Sequence, residues 1–560
     1  MKRKEILYLS SESKLDFQSF FDGYAFFGID LVIGNQGFQQ LSKKTDNRDK
    51  YEDGNYLLIE RQDNDSYQLS RDYHGYYPIF YYQSEDYWCI SNSIIYMVER
   101  LKEQGRSISF NAPNVEMWKF EGLGGFTRQL TSHHTFVNEI KVLPVNSDIV
   151  ITKDHANSDI ALVKREQNPK RKQSYREALI ECLEIWRGRY LTIMSNNKIA
   201  LHHDLTGGLD SRCLLSFMVN NIDAAKSANQ DSRFRVNSQL EHTEDFKIAK
   251  RLVSLFDLSV NAKINDDYKS AKVPASESYA VWKYFNIGRY APIVFPLTDF
   301  SPHYLEMGGE GGEDNRDFYL NQSNSKYATL PEFIEKRYKR FLSTEERYED
   351  WISQIEQACF KLESDSQIDI SILHYREFRS TCHTIKNPKS RFKLAPLGSK
   401  YFDRLSQLSD EAALQSGQVL YDIIHNNCAE LLYIPFDKPE KAMTDTNIKN
   451  LSDVMVNTPT EPGGIYWSND EAVSDLFYEL PIEPISDQTT SPLQILHDKA
   501  LSSLHSNHDL IEYYFGKPYI DFFQEKFDTT DFKNSGQHLH AKGSFLHALI
   551  LIEFLSDFNE

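Results

Sequence analysis

Residues 205–211, Leu205-Thr206-Gly207-Gly208-Leu209-Asp210-Ser211, bring together the groups that a polyphosphate needs. The stretch before them, Ile199 to His203, reads as a buried parallel strand, and Cys213 to Met218 reads as helical. A Gly-rich turn between strand and helix presents backbone N–H groups and the positive end of a helix dipole to an anion. Gly207 and Gly208 let the backbone come close to a phosphate. The Thr206 and Ser211 hydroxyls can donate to its oxygens. Asp210 makes sense beside a polyphosphate only with Mg²⁺ between the two. The run lacks the Gly-Lys-Ser/Thr of a Walker loop and the Gly-x-Gly-x-x-Gly of a dinucleotide fold. A bare Gly-Gly-x-Asp-Ser run also occurs in plain turns.

The elements around this loop set its context. The first 160 residues read as β-rich. Short strands are predicted at Tyr56–Glu60, Tyr67–Asp72, Ile79–Tyr82 and Tyr87–Ser91, with turn residues between them. Ile94–Leu101 is predicted as a short helix, and 142–151 as a closing hairpin. The basic, proline-containing stretch 164–174 reads as a linker. Apolar spacing then predicts helices at Tyr175–Ile193, Leu414–Leu432 and Ser544–Phe558. Arg233–Ser238 and Glu244–Val253 read as a second strand and helix.

Composition bounds the function. The chain has 560 residues, about two to four domains' worth. With 62 Lys and Arg against 81 Asp and Glu, the net charge is −19, which argues against a nucleic-acid partner. Mean hydropathy is −0.53 and no stretch approaches the roughly 20 apolar residues of a membrane span. The basic residues after Met1 are not followed by an apolar run, so no secretory signal is expected and a cytoplasmic location is. The six cysteines are scattered, which fits reduced core thiols. His538 and His540 are spaced like a metal pair but have no third ligand nearby.

Residues 205–211 resemble the Ser-Gly-Gly-x-Asp-Ser pyrophosphate loop of the asparagine synthetase family, with Thr206 in place of the first Ser. Other segments resemble that family in order. Arg71-Asp72-Tyr-His-Gly75-Tyr-Tyr-Pro78 is similar to its N-terminal hairpin, and Gly308-Gly309-Glu310-Gly311-Gly312-Glu313-Asp314 to its Gly-Glu-Gly-Ser-Asp-Glu loop. Arg391 to Leu397 is similar to the segment entering its Pro-Phe/Leu-Leu-Asp motif. The resemblance covers most of residues 1–405 and weakens after about 410.

The resemblance implies an α/β protein. Residues 1–160 would be a degenerate glutamine amidotransferase-like domain, an Ntn-type αββα β-sandwich, and 161–174 a linker. Residues 175–560 would be an adenine nucleotide alpha hydrolase-like (PP-loop) domain with a helical part from about 410. It implies ATP and Mg²⁺. Leu205, Thr206, Gly207, Gly208, Asp210, Ser211, Asn237, Ser238 and Gly309 would bind ATP, and Asp210 and Glu313 would hold the metal. Glu310 would meet an attacking ammonia or amine as a base or an orienting group. A late lysine would support the adenylate: Lys438 and Lys441 are the candidates, with Arg376, Arg379, Lys386 and Lys393 in competition. Glutamine-dependent members start with a Cys after Met; here Lys2 follows and the first cysteine is Cys89, so glutaminase chemistry is expected to be absent.

The implied reaction is adenylation of a small-molecule, glycan or peptide carboxylate and its capture by ammonia or an amine, with a homodimer as an open assembly. A lasso-peptide-type macrolactam cyclase and a catalytically inactive ATP-binding scaffold are the rivals. Tyr513 to Tyr519 reads as an aromatic substrate wall or a packed corner.

Overall fold

Alternation along the N-terminal strands buries both of their faces. The computed structural model describes the chain apart from residues 1–3, 45–50, 64, 120–124, 155–156, 166–172, 264–271, 297–299, 317, 321–326, 364–367, 387–391, 469–474, 485–490, 531–537, 540–543 and 559–560. In the strand Asp53–Arg61, Leu57 and Ile59 share a core with Leu7, Leu9, Trp88, Ile90 and Ile151. Tyr56 and Leu58 turn the other way, onto Phe21 and Phe38. This is the period of two expected of a strand. The shared core joins a seven-stranded sheet to a five-stranded one. The turn after the strand Ser66–Arg71 ties itself. Buried Arg71 donates to the carbonyls of Gly75, Tyr77 and Leu143, and Asp72 accepts from the N–H groups of Tyr76 and Tyr77 at 2.8 and 2.9 Å.

The expected hairpin at 142–151 is a crossover instead. Ile140–Val142 lies in the five-stranded sheet and Ser147–Asp154 in the seven-stranded one, where it pairs with Asn157–Lys164. The reason is Pro144 between them and the bond from Leu143 N–H to Ile79 C=O at 2.9 Å, which keeps the first segment on its own sheet. The strand Asn157–Lys164 carries the sheet past residue 160.

The second half is built on five parallel strands. Their order across the sheet is Val260–Lys263, Phe234–Gln239, Ala200–Asp204, Tyr304–Met307, Lys393–Leu394. Helices Leu209–Val219 and Thr243–Ser254 follow the strands Ala200–Asp204 and Phe234–Gln239. The helix Tyr175–Ser195 starts in a capping box of Ser174 and Glu177 and packs Trp186 and Tyr190 against Phe217. The molecule is therefore mixed α/β with a parallel sheet. Among the described residues no helix is long and apolar enough to cross a membrane.

The last third differs from the sequence expectation in two helices. The segment 414–432 breaks at Gly417, which sits at φ +74° between Glu411–Ser416 and Gln418–Cys428. The helix Ser544–Ser556 is not amphipathic but buried all round, from Phe545 to Ile552 without interruption. The C-terminal third also returns to the first sheets. Ile465–Tyr466 adds to Asp30–Ile33, and Phe477–Glu479 adds to Lys4–Ser10.

A buried ion pair fastens the halves together. Arg189 donates to Asp53 Oδ2 at 2.5 Å and to Gly28 C=O at 2.8 Å, and Lys400 N–H donates to Asp53 Oδ1 at 2.8 Å. Replacing Asp53 with Ala leaves the Arg189 charge buried without this partner. The expected loss is about 3–5 kcal/mol of stability, measured by urea unfolding of the full chain.

Candidate functional site

The parallel sheet grows in two directions from one strand. From Ala200–Asp204 the chain adds two strands on one side, then returns to add Tyr304–Met307 on the other. The strand order therefore reverses beside Ala200–Asp204, and in open α/β sheets ligands bind outside the carboxyl ends of the strands at such a reversal. The two Gly-rich loops, 205–208 and 308–312, leave the sheet at this point.

The first loop is held from several sides. Leu205 is buried and its N–H donates to Asn237 C=O at 2.8 Å. Thr206 N–H donates to Ser211 Oγ at 3.0 Å, Gly207 N–H to Asp245 Oδ1 at 2.9 Å, and Gly208 N–H to Thr206 Oγ1 at 3.2 Å. Gly208 caps the following helix without a side-chain acceptor. A Cβ at Gly207 would lie 2.8 Å from Asp437 Cβ, so only glycine lets residues 437–441 close over the loop. Arg212, fully buried one turn into the helix, donates to the carbonyls of Leu431, Ile434, Pro435 and Gly207 at 2.6–3.3 Å. Its guanidinium also stacks 3.6 Å over the Phe436 ring. Burial pushes its pKa down to about 10, which still leaves it charged at neutral pH.

The segment that Arg212 pins brings Lys441 to the loop. Lys441 Nζ donates to Asp437 at 2.8 and 3.0 Å and stands 3.6 Å from where a Gly208 Cβ would be. Lys438 is exposed, and among the described residues its side chain forms no ion pair. The two candidate lysines are thus separated by geometry. Ser238 is buried at the neighbouring strand's end, and its hydroxyl has no hydrogen-bond partner.

The second loop lies directly on the first. A Cβ at Gly309 would meet Asp210 Cβ and Ser211 N at 3.0 Å, and one at Gly312 would meet Asp210 Cγ at 2.5 Å. The paired glycines are therefore a packing requirement. Gly311 at φ +87° turns the chain into a short 3₁₀ helix, Gly312–Asn315, that carries Glu313 and Asp314. Burial and the like charge of Asp210 push the Glu313 carboxyl up. Asp314 is pushed up to about 7 by burial, against the pull of Arg376 and of Ser380, whose hydroxyl donates at 2.8 Å. Arg376 and Ser380 come from a π turn, Tyr375–Ser380, a wide helical turn frequent at functional sites.

Glu310 pairs with Lys393 on the next strand. Burial would raise its carboxyl, but Lys393, Lys386 and the Lys393 hydrogen bond hold it down at about 2. A carboxylate so weakly basic is a poor proton acceptor at neutral pH, which leaves orientation as its suited task. The N-terminal sandwich supports this strand. Tyr24 hydroxyl donates to Lys393 C=O at 2.7 Å and accepts from its N–H at 2.9 Å. Tyr73 donates to Asp403 at 2.8 Å, and Tyr76 comes so close to Gly398 that a Cβ there would lie 2.3 Å from its hydroxyl. Cys89 is a core thiol, pushed up to about 12 by burial.

Asp210 and Glu313 are hard oxygen donors held in one another's field. No three His, Cys, Asp or Glu side chains among the described residues converge as metal ligands. Two carboxylates completed by phosphate oxygens and water are the usual Mg²⁺ arrangement, so the donor set fits. Sequence reasoning missed Arg212, Asp245, Asp437 and Arg316. Only the i,i+4 spacing of Asp437 and Lys441 signalled any of them. Arg391, His540 and the side chain of His538 lie outside the described residues.

The pairing of Glu310 makes stability pH-dependent. Its folded value of about 2 is below the ordinary 4.5, so the contribution is complete above 4.5 and is lost as pH falls toward 2. The urea-midpoint gap between wild type and Glu310→Gln is expected to be full at pH 6–7 and to shrink steadily below 4.5. A gap that widens in acid contradicts the pairing.

No protein-family model and no curated protein matches the chain. Among solved structures it is similar to a glutamine-dependent NAD(+) synthetase from Cytophaga hutchinsonii at 10% identity and a TM-score of 0.19. The match covers 47% of this chain and 62% of that one, less than two thirds of the synthetase.

Proposed function

We propose that the protein is an ATP-dependent, AMP-forming carbon–nitrogen ligase. It adenylates a carboxylate and passes the acyl group to ammonia or an amine, releasing pyrophosphate. The observation that carries this reading is the meeting of two Gly-rich loops at the sheet's reversal point, with Asp210, Glu313 and Lys441 gathered there.

Each residue then has a task set by its surroundings. The start of the helix Leu209–Val219, with the Thr206 and Ser211 hydroxyls beside it, would bind the phosphates. Asp210 and Glu313 would hold Mg²⁺, which when bound neutralises the departing pyrophosphate. Lys441 lies over the loop and supplies positive charge to the α-phosphate, where charge grows in the transition state. Asn237 and Ser238, close to the end of the strand Phe234–Gln239, would meet the base. Glu310 orients the incoming amine, with Lys393 fixing its carboxylate. Cys89, buried and weakly acidic, is not a glutaminase nucleophile, so the nitrogen comes as ammonia or an amine.

The test is pyrophosphate release from ATP over a panel of small-molecule, uronic-acid and peptide carboxylates, with ammonium or amines as acceptors. Asp210→Asn and Lys441→Ala are expected to lower kcat by about 10²–10³-fold. Lys438→Ala, at an exposed position, is expected to stay within about twofold. Full activity in Asp210→Asn, or no release from any carboxylate, overturns the ligase and leaves the nucleotide-binding scaffold.

A further inference from the structure

Arg316 lies just past the second loop and reaches back to the first. Its backbone N–H donates to Glu313 C=O at 3.2 Å, which fixes its root at the end of the 3₁₀ turn. One terminal nitrogen of its guanidinium donates to both Asp210 oxygens, at 2.9 and 2.8 Å. Glu313 lies in the same field, and the Tyr375 and Tyr421 rings stand close by. The side chains of Arg316 and Asp210 are 29% and 25% exposed, so the contact is sheltered yet open to exchange.

We infer that Arg316 is the built-in countercation of the Asp210–Glu313 pair and competes with Mg²⁺ for it. This rests on the reading of the site proposed above. The guanidinium occupies the oxygen lone pairs on Asp210 that a metal would take. With Arg316 in place the trio keeps one net negative charge, too little to draw a divalent cation strongly out of water. A bare Mg²⁺ would also face a fixed positive group at short range. Nucleotide phosphates reverse this balance. They bring further oxygen ligands for the metal and a new anion for the guanidinium, whose fork suits phosphate. Metal and nucleotide then bind with positive coupling, each helping the other displace Arg316 from Asp210. The role is one of order and selectivity: a free divalent ion does not settle between the loops ahead of the substrate.

Mn²⁺ is the probe, with bound and free ion separated by electron paramagnetic resonance on the full chain. Without nucleotide, Arg316→Gln is expected to bind Mn²⁺ roughly tenfold or more tightly than wild type. With a non-hydrolysable ATP analogue present, the two proteins are expected to agree within about threefold. Adding Asp210→Asn to the Arg316→Gln protein removes the gain. Arg316→Met, which keeps the stem length, is read the same way if the Gln variant does not fold. Equal or weaker Mn²⁺ binding in these variants, with manganese–nucleotide binding retained, overturns the competition and leaves the ligase reading standing. Absence of manganese–nucleotide binding in wild type and variants alike overturns both.

Discussion

The buried guanidinium of Arg212 is the interaction on which the site depends. Its charge is met by four backbone carbonyls, three from residues 431–435 and one from Gly207 in the first Gly-rich loop. Carbonyls fixed in this way cannot shift without stranding a charge in the interior, where the penalty is several kcal/mol. The segment that follows is therefore set against the loop, and Lys441 with it. A residue more than 220 positions away in sequence reaches the loop through one side chain, which lets a distant lysine share a site with a strand–turn–helix.

The second dependence runs through the N-terminal sandwich. Its tyrosines hold the edge strand of the parallel sheet and the segment after it: Tyr24 brackets Lys393 and Tyr73 holds Asp403, while Tyr76 fills the space over Gly398. The Tyr24 bonds set Lys393, and Lys393 sets Glu310. The sandwich thus supports the candidate site from one side. The Arg71–Asp72 turn, braced by Arg71 on the carbonyls of Gly75, Tyr77 and Leu143 and by Asp72 on two N–H groups, holds Tyr73 and Tyr76. Rigid placement of this sort keeps supporting groups within the narrow tolerances that a site demands.

Much of this was legible in the residues themselves, for identifiable reasons. The strand–loop–helix at 199–218 and the next strand and helix show strong local patterns that tertiary packing reinforces. The crossover at 142–151 is not legible because two short apolar runs around a proline look alike whether they pair or part. The all-round burial of the helix Ser544–Ser556 is hidden too, because periodicity fades when every face is buried. Of the site, the glycines and Asp210 announce themselves through spacing. Arg212, Arg316 and Asp245 do not, because their partners lie at other points of the chain or on backbone atoms. Choosing between Lys438 and Lys441 likewise needed the fold.

The two strands contributed by the C-terminal third have a consequence for synthesis. Ile465–Tyr466 and Phe477–Glu479 cover the open edges left by Asp30–Ile33 and Lys4–Ser10. A ribosome emits the amino-terminal strands first, so those edges stay bare until residues 465–479 have emerged. Exposed edges recruit other strands, and long-range closure is slow. Closure of both sheets thus waits on residues 465–479, and nascent chains halted before them would be natural clients for chaperones.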